Sequence, residues 1–278
     1  MMNRSQIIAI AQKDIRAITS NVQVWLGLVL LPLVFGVLLP GILILVIKMV
    51  NITDGDLVDM VQKVITQLPA GDKKEQITAL PTLNHQIIYI FVNYMLGPFF
   101  LLIPVLNSLM IALNSLVGEK ERRTLESLLF APIEVKDLFL GKLAATFIPT
   151  FVVTLVSFLL CGIIINGLTY SMFDGLIFPN LNWGLLLLWV APMFTGLVIQ
   201  ISIFISARSK GFQEAQQIGG IVVLPVVGLA ISQVTGVLLL SPQLLLGVGL
   251  LLLLVNLLLL RRLTKMNQRH TLFERQVH

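Results

Sequence analysis

The sequence predicts an all-α membrane protein with six transmembrane helices, both termini cytoplasmic and an amphipathic N-terminal interface helix. Three observations carry this. Of the 278 residues, 56% are hydrophobic and only 12% charged, where a soluble domain has roughly 25% charged residues. One aqueous core of this size cannot bury so much apolar surface, which excludes a soluble enzyme, a nucleic-acid-binding module and a disordered chain. Five runs, 17–47, 76–118, 143–173, 175–207 and 215–260, contain no Lys, Arg, Asp or Glu. The basic residues outside those runs are concentrated in alternate connecting segments.

Taken in chain order, the first element is residues 5–19. Ile7, Ile8, Ala11, Ile15 and Ile18 fall at helical spacing, with Lys13, Asp14 and Arg16 elsewhere on the turn, so the segment reads as an amphipathic helix lying in the cytoplasmic interface. The same charges rule against a cleavable signal sequence there. A spanning helix needs about 20 apolar residues, because the hydrocarbon core is roughly 30 Å thick and a helix rises about 1.5 Å per residue. The charge-free runs then predict spans at 24–47, 87–117, 143–166, 182–206, 216–239 and 243–260, the last run being divided at Ser241-Pro242 beside Gly236. The second is too long for an untilted helix, and Gly97-Pro98 and Pro104 predict a kink or break in it. Residues 48–86 form the external loop. Within it, Leu57, Val58, Val61, Val64, Ile65 and Leu68 predict a short helix resting on the outer leaflet, with Asp54 or Asp56 as N-cap.

Six spans place both termini on one side, and 15 of the 19 basic residues lie on that side. The positive-inside rule makes it the cytoplasm. The remaining four, Lys48, Lys63, Lys73 and Lys74, fall in the external loop.

Enzymatic chemistry is not encoded. Gly141-Lys142 lacks the earlier glycine and the following Ser or Thr of a phosphate-binding loop. His85, His270 and His278 are too scattered to bind a metal, and Cys161 is the sole cysteine, so no internal disulfide forms. The spans contain no carboxylate or lysine, which also argues against an ion-coupled carrier, whose relays expose themselves as intramembrane ionisable groups.

The largest cytoplasmic segment, 118–142, is different in kind. It carries ten charged residues, five of each sign, and Leu125, Leu128 and Leu129 share one helical face until Pro132. Such a helix suits docking into a soluble partner's groove; the alternative is a solvated turn that only orients its neighbours. At membrane depth, Asn107 and Asn114 lie seven apart on one face beside Ser108 and Ser115, where they either line a translocation path or hydrogen-bond between helices. Gln200 and Asn256 carry the same two readings. Gly228, Ser232 and Gly236 form a small-residue stripe suited to close helix packing.

The run Gly118-Glu-Lys-Glu-Arg-Arg-Thr-Leu-Glu-Ser-Leu-Leu, followed by Ala131-Pro132 and Gly141-Lys142 directly after the second span, resembles the signature of type-2 ATP-binding-cassette (ABC-2) exporter permeases. Six spans, cytoplasmic termini and an amphipathic first helix fit that family over the whole chain, 1–278, as one transmembrane domain. The resemblance implies a permease subunit that exports substrate using ATP hydrolysed elsewhere. It implies two copies of a separate P-loop ABC ATPase, a second permease subunit (homodimer or heterodimer), and the plasma (inner) membrane of a bacterium or archaeon. By position it assigns ATPase coupling to Glu119, Glu121, Arg122, Arg123, Thr124, Leu125, Glu126, Leu128 and Leu129, with Lys13 and Arg16 of the first helix either joining that contact or anchoring lipid. No cofactor is expected on this chain; ATP and Mg belong to the partner. Arg123 departs from the family, which places glycine before Thr-Leu-Glu. The alternative to an ATP-driven permease is an autonomous carrier or channel.

Overall fold

The computed structural model describes residues 4–50, 55–68, 72–121, 135–209, 211–235 and 241–265. Among these there is no strand, and six helices are long and apolar enough to cross a membrane. In chain order the elements are α1 (Arg4–Ser20), the first span α2 (Val24–Met49), α3 (Asp56–Gln67), α4 (Asp72–Thr78), and the second and third spans α5 (Leu83–Glu121) and α6 (Asp137–Phe173). The fourth, fifth and sixth spans follow as α7 (Leu181–Ser206), α8 (Phe212–Gln233) and α9 (Pro242–Arg262). We call the end of the bundle holding α1, Glu121 and Arg262 the basic end and the opposite one the far end.

The second and third spans run well beyond the apolar stretches expected from sequence. Their outer turns carry polar residues that are satisfied by neighbouring chain rather than by lipid: His85 and Asn84 at one limit of α5, Glu119 to Glu121 at the other. Pro98 and Pro104 do not break α5. Its one change of pitch is a π-helical segment, Phe91–Met95, nearer the far end.

The second span is the axis of the bundle. In its most apolar window 78% of residues are buried inside the protein, against 11% in the sixth span. The physical reason is visible in residue size and polarity. The axis presents Ile103, Val105, Ile111 and Leu113 to the other spans, while the sixth span is a leucine run whose Leu250, Leu251, Leu254, Leu257 and Leu258 face outward, as lipid requires. The sixth span is nevertheless fixed to the fourth. Gln200 Nε2 donates to Asn256 Oδ1 at 2.7 Å, Asn256 Nδ2 donates to the Met193 carbonyl at 2.8 Å, and Gly249 lies directly beneath the Trp189 indole, where a Cβ would overlap the ring. Of the two readings open for Gln200 and Asn256, the interhelical hydrogen bond is the one realised.

The far end is closed by polar clasps over aromatic packing. Asn84 Nδ2 donates to the carbonyls of Ile47 and Val50, and His85 Nε2 bonds the Met172 carbonyl, so end carbonyls of the first and third spans gain partners, while Lys48 Nζ reaches the Leu168 carbonyl. Asn166 holds the loop after the third span through the backbone of Ile177 and Phe178. Phe100, Phe158, Phe178 and Trp183 pack edge-to-face beneath it.

Two expectations are corrected. Asp56 does not cap α3, because Gly55 holds the N-cap position, with a φ of 112° that favours glycine; Asp54 lies outside the described residues. The apolar face of α3 does not rest on lipid, because Val61, Val64 and Leu68 are buried in the main core with Ile47 and Ile87. Of the small-residue stripe, Gly228 is exposed with no described atom within 4 Å of a Cβ position and Ser232 is half-buried; Gly236 lies outside the described residues.

Candidate functional site: a charged hub at the basic end

The apolar stripe of α1 consists of Ile10, Ala11 and Ile18, and Asp14 lies on that same stripe, one turn from Ile10 and one from Ile18. The helix packs that face onto the start of the third span. Gly141 makes the approach possible: a Cβ there would stand 2.8 Å from Ile10 Cβ and 3.2 Å from the Ile7 carbonyl. The next residue, Lys142, is thereby brought to Asp14.

The second span completes the site. Ser115 and Glu119, one turn apart on α5, face the same space. Lys142 Nζ lies 2.7 Å from Glu119 Oε2, 3.1 Å from Asp14 Oδ2 and 3.0 Å from Ser115 Oγ. The Ser115 hydroxyl in turn donates to Asp14 Oδ2 at 3.0 Å. From the outside, Lys13 Nζ donates to Glu119 Oε1 at 2.9 Å and stands 3.4 Å from Asp14 Oδ1. The side chains of Lys142 and Asp14 are only 3% and 5% exposed. Among the described residues, two cations and two carboxylates sum to zero charge, which is the condition for keeping ions in a desolvated place. Partial burial pulls the Lys13 pKa down, but the hydrogen bond to Glu119 and the charges of Glu119 and Asp14 outweigh it and hold the ammonium above the ordinary lysine range.

The two residues after Glu119 reach other elements. Lys120 Nζ donates to the Ser209 carbonyl at 2.9 Å, closing the end of the fourth span, and the Phe212 backbone N–H, at the start of the fifth, donates to Glu121 Oε1 at 2.8 Å. A carboxylate at a helix N-terminus satisfies an orphan donor and complements the helix dipole. Three consecutive side chains thus tie the end of the second span to α1 and to the third, fourth and fifth spans.

Of the residues expected to couple, Glu119 and Glu121 are at the centre of this hub and Lys13 joins it, while Arg16 is exposed. Arg122, Arg123, Thr124, Leu125, Glu126, Leu128 and Leu129 lie outside the described residues. Asn107 is completely buried, and Asn114 is half-buried beside Gly118. Asp14, Lys120 and the full role of Lys142 escape a reading by composition. The signal for Asp14 was its place on the apolar stripe, at four-residue spacing from two isoleucines; the partners of Lys120 and Glu121 are backbone atoms distant in sequence, which carry no sequence signal.

No curated protein matches the chain significantly. A family model described as ABC-2 family transporter protein matches residues 8–272, a range that begins inside α1, includes the hub and takes in all six spans. This chain belongs to the ABC-2 transporter family and is a multi-pass membrane component of an ABC-type transporter, not an enzyme.

Proposed function

We propose that the chain is the permease subunit of an exporter, moving substrate out of the cytoplasm with energy from ATP hydrolysed by a separate P-loop ATPase. Two ATPase copies and a second permease subunit complete the assembly in the plasma membrane, and ATP with Mg binds in the ATPase. The basic end is cytoplasmic. The partner docks on the segment between Glu121 and Val135, and its movement enters the membrane domain through the hub.

The observation that carries this reading is the convergence of Glu119, Lys120 and Glu121 on α1 and three other spans. A push on the 122–134 segment acts directly on the last turn of the axial span. Because that turn is bonded to α1 and to the third, fourth and fifth spans, the basic end responds as one unit. Charge-assisted contacts are short and directional, so they transmit displacement where apolar contacts would slip. The neutral sum of the hub suits a joint that must move without leaving an ion stranded.

The test is purification of the tagged chain from its native membranes in mild detergent, with mass spectrometry of what accompanies it. Recovery of a P-loop ATPase that is lost from Glu126→Arg, a variant still inserted in the membrane, is the expected result. If an intact complex contains only this chain, and the purified chain moves solute into liposomes without ATP, the autonomous carrier replaces this reading.

A further inference from the structure

Prolines recur in the interior of the spans, and contacts between the helices set their heights. Gly27 of the first span meets Met110 of the second, and Gly36 meets Ile103. Pro32 therefore lies opposite the stretch 103–110, which contains Pro104. The fourth span runs parallel to the second, with Trp183 bonded to Val92 near one end and Lys120 to Ser209 at the other, so Pro192 is level with residues near 102. The fifth runs antiparallel. Gly219 meets Leu109, and Val226 and Val227 line an apolar cavity with Pro98, Phe99 and Leu102, which sets Pro225 beside Ile103. Pro32, Pro104, Pro192 and Pro225 thus share one level near the middle of the second span. Pro149 of the third span sits about two turns nearer the basic end than Pro104, since Gly36 also meets the Ser157 backbone.

Each proline lacks the N–H that the carbonyl four residues earlier would use: Leu28 for Pro32, Phe100 for Pro104 and Leu188 for Pro192; before Pro225 the Ile221 carbonyl accepts instead from the Leu224 N–H. The first, fourth and fifth spans change pitch at the same place, while the second runs through Pro104 as α-helix. A π-helical segment, Leu33–Leu38, starts directly after Pro32; another, Leu186–Val190, ends just before Pro192; and a 3₁₀ turn, Gly220–Val223, precedes Pro225. Such interruptions are where helices bend.

At this level lies Asn107, with no exposed surface and no hydrogen-bond partner for either amide atom among the described residues. Thr150, beside Pro149, is a second wholly buried side chain whose hydroxyl is unpartnered there. Asn107 belongs to the stripe Ile103, Asn107, Ile111. Ile103 meets Gly36 of the first span, and Ile111 packs with Val24 and Leu28 of the same span. Asn107 therefore faces the first span near Leu28, whose carbonyl Pro32 leaves without its helical donor. A buried amide with neither donor nor acceptor satisfied is costly, and it persists where another conformation uses it.

We propose that the level of Pro32, Pro104, Pro192 and Pro225 is a hinge plane at which the basic-end halves of the spans bend together against the far end, and that Asn107 is its positioning residue, donating to the Leu28 carbonyl when the spans bend. The hub moves those halves as a unit, and the clasped, aromatic far end stays fixed. This extends the coupling reading, but its test needs no ATPase, so its failure and the failure of that reading are separate results.

The experiment uses the whole chain in lipid nanodiscs with Cys161→Ser. Spin labels are placed on exposed positions at the basic end, Gln12 and Gln217, and at the far end, Gln62 and Leu181. Pulsed electron resonance is expected to give two distances between a basic-end and a far-end label, Gln12 to Gln62 or Gln217 to Leu181, and one distance within each end, because each end moves as a unit. Asn107→Leu, which removes the amide, collapses the end-to-end pair to one distance and raises Tm. Pro192→Ala, which supplies a missing donor, narrows it likewise. A single end-to-end distance in the parent chain, two distances surviving in Asn107→Leu, or a lowered Tm in that variant each overturns the proposal; the last shows that Asn107 supports the fold through a bond it already makes.

Discussion

Lys142 is the residue on which the hub depends, since its ammonium answers two carboxylates inside the protein. Lys142→Met keeps the length of the side chain and removes the charge, taking from Asp14 and Glu119 the buried cation between them. Breaking a buried ion pair from one side costs about 3–5 kcal/mol, so thermal unfolding of the purified variant should show a clear fall in Tm. Asp14→Asn with Lys142→Met should recover part of it, because the double change removes a charge of each sign. Lys13 behaves differently. Its pKa is raised in the folded state, so its contribution is complete below the ordinary lysine value of about 10.4 and disappears only as pH climbs through the raised value. Between about pH 6 and pH 9 the Lys13 tie is therefore constant, and a loss of Tm over that range that vanishes in Lys13→Met would contradict the assignment.

At the scale of elements, the docking of α1 rests on a missing side chain. Gly141→Val places atoms where Ile10 and the Ile7 carbonyl now sit, and the backbone carbonyl cannot yield as a side-chain tip would. Detachment of α1 is expected, measured as proteolytic cleavage after Lys13 or Arg16 that the parent chain resists. The pairing of the fourth and sixth spans rests on the amide bond between Gln200 and Asn256. Asn256→Leu strands the Gln200 amide and should cost about 1–3 kcal/mol, whereas Asn256→Leu with Gln200→Leu should cost less than the single change, a sign reversal read by thermal unfolding of both variants. Helix existence and order at this scale were legible in the sequence, since apolar length alone dictates a span. The true limits of the second and third spans were not, because their polar end turns are made helical by partners in other elements: Asn84 by the first span, Glu121 by the fifth.

At the scale of the whole molecule, the distribution of burial explains the composition. A bundle with one buried axial span and apolar outer faces on the first, third, fifth and sixth spans needs a lipid solvent around it, which accounts for the small share of charged residues. The proposed orientation makes a direct prediction. In cells carrying Cys161→Ser, a cysteine at Gln12 should react with a membrane-impermeant maleimide only after permeabilisation, and a cysteine at Gln62 should react before it. Both positions are exposed on α1 and α3 respectively. The reverse pattern would invert the topology and remove the ATPase from the hub.

Sequence by itself determined that this chain is a membrane helical bundle, how many times it crosses, the sidedness of its charge and its family resemblance. Those properties follow from solvent transfer, which acts residue by residue along the chain and leaves a linear record. The partners of Asp14 and Lys142, the clasps of Lys120 and Glu121 and the common level of four prolines were decided only by tertiary structure. They depend on helix register and on close approach at single glycines such as Gly27, Gly36 and Gly141. Register is set by the packing of whole surfaces against one another, so it has no address in any one segment of the sequence.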